Sequence, residues 1–439
     1  MVASVINTFN VIWPFLLVLG VLVFVHELGH FLVARWYGVR VITFSLGFGK
    51  KILKFTRGGT EYCISLVPLG GYVKLAGETV QDTPTGDPAE FLSKSKWIRF
   101  QVYLAGPVMN LAMAVIVLAF VRAQGADLPI YTNAPAVIGG VAPGSPAEQA
   151  GLKPGDRVVS VDGRDIPSWN ALNLAVIPRP DRQLDVTVDR GGERVGIKVT
   201  AAAVTKYRIG SLGVLPVMRP QVIGVQAGKP AEDGGLRRFD IILAVGGERA
   251  LSQPEIIKRI QKNGDKPLVF TVQRDSQVQD LSITPRGREG AAVIGAYIAH
   301  SEFEHVDPTL VQAFGLSVQE NWDQTRQIAT TLAGLFTRDT PVGQLMGPVA
   351  IAEISASAAQ VSWLYLFELM ATISLNLGLL NLLPIPILDG GQIAILSLEG
   401  LFRRDMSVRV KEAILLAGAA VIIILMVTVI FNDVARLIR

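Results

Sequence analysis

Two of the chain's four histidines fall in one pentapeptide, His26-Glu27-Leu28-Gly29-His30, inside an apolar run. On a helix, positions i and i+4 share a face, so both imidazoles can bind one ion with Glu27 beside them. Neutral imidazole nitrogens suit zinc, and a catalytic zinc site keeps one position open for water. Ionisable groups within a membrane span are costly and rarely lack a role. Histidines snorkelling at the headgroup boundary would leave the acid between them unexplained. Two histidines still leave zinc short of a third protein ligand. A second anomaly is Asn381-Leu-Leu-Pro-Ile-Pro-Ile-Leu-Asp389-Gly390-Gly391. Pro384 and Pro386 break a helix there, and an Asp before two glycines is free to point sideways; alone, the stretch also fits an interfacial turn. A His-His-Asp site beside a glutamate is a metallohydrolase arrangement.

Four apolar stretches must position these residues, at about 11–33, 102–121, 364–383 and 413–431. Each approaches the roughly 20 residues that a helix needs to cross a bilayer. The chain of 439 residues is 50% hydrophobic and only 18% charged, against roughly 25% charge in an ordinary soluble domain. Net charge is +4, too diffuse for a nucleic-acid binder. The single cysteine, Cys63, excludes an intrachain disulfide scaffold. The segment after the first stretch is rich in Lys and Arg, and Arg403, Arg404, Arg409 and Lys411 follow the third. The positive-inside bias makes both loops cytoplasmic. Stretches one and three then run in the same direction, and the pentapeptide end of one meets the Asp389 end of the other on the cytoplasmic face.

Between the second and third stretches the chain turns to short alternating strands and carries a repeat. Gly144, Pro146, Ala147, Glu148, Gly151, Leu152 and Asp156 recur 84 residues later as Gly228, Pro230, Ala231, Glu232, Gly235, Leu236 and Asp240. A short helix starting at proline and stopping at glycine, then an Asp-led turn into a strand, resembles PDZ domains of the bacterial protease type. Such domains bind an extended peptide at a sheet edge. The second copy has Arg238-Phe239 where the first has Pro154-Gly155, which predicts a different turn geometry.

H-E-x-x-H in the first stretch, N-x-x-P-x-P-x-x-D-G in the third and a tandem PDZ-like repeat between them resemble the site-2 protease family of intramembrane zinc metalloproteases. The resemblance covers nearly the whole chain. It implies a polytopic α-helical membrane protein with four transmembrane helices, a membrane-associated β-hairpin loop and two tandem external PDZ domains of sandwich or barrel-like α+β form. It implies His26, His30 and Asp389 as Zn2+ ligands, Glu27 as general base and Asn381 as a contact to the substrate backbone. The implied partners are the lipid bilayer and single-pass transmembrane proteins, such as a trimmed anti-sigma factor or a signal-peptide remnant, with the PDZ tandem as a size filter. The implied location is the bacterial inner membrane, with the PDZ domains periplasmic. The expected segments are a first transmembrane helix (1–35), a cytoplasmic segment with the β-loop (36–98), a second transmembrane helix (99–123), PDZ domains (124–215 and 216–305) and an amphipathic gate or linker (306–361). A third transmembrane helix (362–391), a cytoplasmic loop (392–411) and a fourth transmembrane helix (412–439) follow.

Smaller signals point the same way. Gly106 to Asn110 resembles the family's G-x-x-x-N element, where small residues allow close helix approach, and equally fits an interfacial turn. Residues 39–74 alternate apolar and polar side chains and carry several glycines, predicting a hairpin with an edge strand. His300 and His305, with glutamates between them, read as a solvated linker. Two other classes fit parts of the pattern. A membrane scaffold would use the PDZ-like repeat to gather partners around a structural metal with no open position. A metal transporter would use the polar residues in the spans, but no run of ligands leads across the bilayer.

Overall fold

The computed structural model describes residues 2–78, 86–249, 252–299 and 301–438. The chain divides into two compact units. One comprises residues 1–124, 308–329 and 342–439, the other 125–307 and 330–341.

The first unit holds four helices long and apolar enough to cross a membrane, Ile12–Trp36, Lys96–Arg122, Trp363–Asn381 and Val408–Arg436. The first three spans pack against one another. Val18, Leu22, Met113, Leu366 and Met370 fill their shared interior. Polar contacts fix the two ends. Arg122, at the close of the second span, lies 2.7 Å from Glu320 and 2.8 Å from Glu368, so the acid early in the third span has a cationic partner. At the other end Glu399 is buried, accepts the Met406 N–H and sits 2.6 Å from Lys411 Nζ.

The third span is shorter than the expected 362–391. Its helix ends at Asn381, a turn carries Pro384 and Pro386, and a new helix runs Asp389–Leu401 through what the sequence suggests is a loop. Leu and Ile on both sides of the turn hide this break from hydropathy. Proline, with no N–H to donate, enforces it. The expected gate segment, 306–361, is likewise helical over Leu310–Thr337 and Pro348–Val361.

Strands Val41–Arg57 and Thr60–Leu75 form the anticipated antiparallel hairpin, but its edge is not where sequence places it. The second strand doubles back. Residues 43–46 pair with 61–64 on one side and with 71–74 on the other. The central stretch is thus enclosed, and Gly71–Leu75 forms the outer margin that no other strand among the described residues pairs with.

The second unit realises the repeat element by element. In the first copy, strand Ile138–Val141, helix Pro146–Gln149, strand Arg157–Val161, helix Trp169–Val176 and strands Gln183–Arg190 and Glu193–Thr200 follow in order. The second copy gives Gln221–Val225, Pro230–Asp233, Ile241–Val245, Gln253–Lys262, Leu268–Arg274 and Gln277–Ile283. Each copy encloses its own apolar core. The recurrent residues have matching jobs. Glu148 and Glu232 accept the Gly144 and Gly228 N–H groups at 2.6 and 2.7 Å. Asp156 takes two bonds from Arg190, which also reaches the Gly151 carbonyl; Asp240, Arg274 and Gly235 repeat that triangle.

The expected difference in turn geometry is not found. Gly155 and Phe239 both adopt positive φ, 92° and 74°, and both donate N–H to the equivalent carbonyls of Ile138 and Val222. The hydrogen bond decides the turn, and the non-glycine residue accepts a conformation that costs roughly 1–2 kcal/mol.

The Asp156–Arg190 pair predicts a pH-dependent stability. The Arg190 guanidinium holds the buried Asp156 carboxyl below the usual carboxylate range. Its contribution is therefore complete above the unfolded carboxylate pKa and is lost as pH falls through the lower folded value. Asp156→Asn is expected to cost about 2 kcal/mol at neutral pH, the scale of a hydrogen bond to a charged group. The gap from the parent should close in acid, as read by hydrogen exchange of residues 138–200.

Candidate active site

The first span presents His26 and His30 on one face, and the turn after Pro386 brings Asp389 to the same point. His26 Nε2 lies 3.2 Å from His30 Nε2 and 3.2 Å from Asp389 Oδ2; His30 Nε2 lies 3.5 Å from Asp389 Oδ1. Among the described residues these three form a group whose donor atoms can hold one metal ion. The spacing tests the fit. Tetrahedral zinc with bonds of about 2.0–2.1 Å to nitrogen and 2.0–2.2 Å to oxygen sets its ligand atoms about 3.3–3.5 Å apart. The triangle here matches that edge length, so the three side chains are arranged for zinc without rearrangement.

Asp389 opens its helix, where the dipole favours a carboxylate. The glycines behind it are required by close approach: a Cβ on Gly391 would meet the Ile385 carbonyl oxygen at 2.1 Å. Asn381, the last residue of the third span, places its amide nitrogen 3.3 Å from His26 Nε2. Glu27 accepts a hydrogen bond from the Val73 N–H on the hairpin's outer margin. A cavity of about 270 Å³ joins these groups; Tyr72, Val73, Leu75 and Glu78 line it from the hairpin side.

The second span forms the back wall through a stripe one turn apart, Val102, Gly106 and Asn110, all buried. The Val102 carbonyl accepts from His30 Nδ1 at 2.7 Å, and the Asn110 amide lies 3.1 Å from His26 Nδ1. Gly106 admits both imidazoles, because a Cβ there would stand 2.3 Å from His30 Nε2 and 2.7 Å from His26 Cε1. The close helix approach read from Gly106 is thus an approach to the histidines, and the interfacial-turn alternative does not hold.

Sequence places His26, Glu27, His30, Asn381 and Asp389 as site residues, and all five line this cavity. Two polar residues escaped it. Asn110 stands in the recognised element, but only the packing of two spans reveals its histidine contact. Glu78 carries no signal in the sequence; it bonds the Leu75 N–H at 3.0 Å, and burial pushes its carboxyl up from the ordinary value. His300 lies outside the described residues. His305 sits 3.2 Å from Asp307 and stacks on Phe239.

The profile of Peptidase family M50 matches residues 14–425. The chain belongs to this family. A putative zinc metalloprotease of Vibrio cholerae is 33% identical over 98% of this M50 chain and 100% of its own length. Protease RseP of Yersinia pestis is 33% identical with the same coverage. The regulator of sigma-E protease RseP of Escherichia coli is 31% identical over 96% of the M50 chain and 98% of its own. The M50 chain is therefore a bacterial membrane metalloprotease of the site-2 protease type, and its cofactor is zinc.

Proposed function

We propose that this M50 peptidase hydrolyses peptide bonds within the membrane-spanning segments of single-pass proteins, using His26, His30 and Asp389 as zinc ligands and Glu27 as general base. The observation that carries the reading is the His-His-Asp triangle of 3.2–3.5 Å, built on helices apolar enough to cross a bilayer. Zinc bound there supplies polarisation of the scissile carbonyl and a more acidic water. Glu27 takes the proton from the attacking water and returns it to the leaving nitrogen.

A substrate helix hides its amides, and each one freed in hydrocarbon costs several kcal/mol unless a new partner is supplied. The outer margin Gly71–Leu75 supplies such partners by strand addition, beside Glu27. The Asn381 amide adds a donor for a substrate carbonyl at the same place. Lys and Arg after spans one and three put this site near the cytoplasmic face of the inner membrane. The repeat unit then lies outside, where two PDZ domains act as a size filter. Trimmed anti-sigma factors, suggested by the relatives named for sigma-E regulation, and signal-peptide remnants are the substrate classes that fit.

Co-reconstitution with paired single-span substrates tests this reading. Cleavage is expected for a substrate with a short external stub and at least tenfold slower, by this mechanism's steric logic, for the same span carrying a folded external domain. Equal rates would remove the size filter, and no cleavage of either would overturn the proposed activity.

A further inference from the structure

An imidazole that holds a metal through Nε2 uses that nitrogen's lone pair and so carries its proton on Nδ1, which becomes a hydrogen-bond donor. For His30 the acceptor is plain: Nδ1 faces the Val102 carbonyl at 2.7 Å. For His26 the side chain facing Nδ1 is the Asn110 amide, at 3.1 Å. Asn110 is fully buried, its backbone carbonyl is tied to Ser374 Oγ at 2.8 Å, and its Oδ1 is buried with no partner. The two ends of an amide are told apart by their hydrogen bonds. An N–H directed at Nδ1 would force the His26 proton onto Nε2, the atom 3.2 Å from both His30 Nε2 and Asp389 Oδ2. Turned over, the orphaned oxygen receives the Nδ1 proton and Nε2 keeps its lone pair.

We propose that Asn110 is a positioning residue for the metal centre: its amide oxygen accepts the Nδ1 proton of His26 and holds that ring in the tautomer that presents Nε2 to zinc. Val102 does the same for His30 from one end of the stripe. Between them, Gly106 leaves the space both rings occupy. One face of the second span thereby sets the protonation of both histidines, without touching ion or substrate. The inference rests on the reading that His26 is a ligand, and the experiment separates the two.

The test uses the full-length protein in detergent, stripped of metal and titrated with zinc against a competing chelator. Asn110→Leu keeps the volume and removes the acceptor, and is expected to weaken zinc binding about 10–100-fold, the usual range for loss of such a partner. Asn110→Asp keeps an acceptor and is expected to bind zinc at least as well as the parent, a rescue that a purely structural role would not give. Nitrogen-15 spectra of histidine-labelled, metal-free parent should show His26 protonated on Nδ1, and Asn110→Leu should shift that proton toward Nε2. Parent-like affinity in Asn110→Leu, or Asn110→Asp as weak as Asn110→Leu, would overturn the proposal. So would a parent spectrum with the His26 proton on Nε2, a result that needs no variant to fold. Loss of zinc in His26→Ala beside parent affinity in Asn110→Leu would remove Asn110 alone; unchanged affinity in His26→Ala would remove the ligand reading beneath it.

Discussion

Glu27→Gln should abolish cleavage while leaving zinc in place. The carboxylate stands between the two histidines in sequence but is not part of their triangle; it reaches the Val73 N–H at the strand margin where a substrate would add. An amide of the same shape can fill that space and cannot accept a proton. General acid–base catalysis contributes roughly 10²–10⁴ in rate, and here one group serves both the attack and the departure. Turnover of a co-reconstituted substrate is therefore expected to fall by about 10³ or more, with zinc content per chain equal to the parent's. Cleavage at the parent rate would exclude Glu27 as the base. Joint loss of zinc and activity would instead make it a structural support of the site.

The second large effect comes from one methyl group. Gly106→Ala would place a Cβ 2.3 Å from His30 Nε2 and 2.7 Å from His26 Cε1. Contacts that short cannot be kept, so at least one ring must turn or the two spans must part. Tight helix packing makes the second route costly, typically 1–3 kcal/mol for an overpacked core. Either route spreads a triangle that now matches zinc. Activity is expected to fall at least about 100-fold, the scale of a 1 Å misplacement at a reacting centre, with weaker zinc binding in the same preparation. Gly20→Ala is the control, since nothing lies within 4 Å of its added Cβ. Parent activity in Gly106→Ala would contradict the geometry of the back wall.

These two residues show what sequence makes legible. Glu27 is visible because the local rule is strong: an acid between histidines four apart, in a stretch where charge is costly. Asp389 became visible through topology, since two parallel spans carry their ends to one face. The end of the third helix was harder. Apolar residues continue past Asn381, so hydropathy runs on to Gly391 while Pro384 and Pro386 stop the backbone earlier. The hairpin's edge was misplaced for a related reason: alternation marks strands, but only pairing shows that the second strand folds back over the first. Asn110 and Glu78 depend on contacts that no local pattern encodes.

The repeat holds an intermediate place. Glycines, prolines and the Asp of its turns recur at a fixed offset, and that regularity is enough to find it. The cations that use them, Arg190 and Arg274, lie a further 34 residues on in strands of otherwise different sequence. They explain why Gly151 and Asp156 recur together: one guanidinium binds both. The Phe239 turn shows the converse, where a changed residue type leaves the backbone unchanged because the hydrogen bond to Val222 is kept.

The central claim is hydrolysis of a peptide bond within a transmembrane segment at the His26–His30–Asp389 centre. The most direct measurement is mass-spectrometric mapping of products from a single-span substrate, reconstituted in vesicles with the zinc-loaded protein, in water enriched in oxygen-18. The account predicts one or a few cuts inside the apolar stretch, a heavy oxygen on the new carboxyl terminus, and no such products with Glu27→Gln. Cuts confined to the polar flanks, or the same internal products from Glu27→Gln, would contradict it.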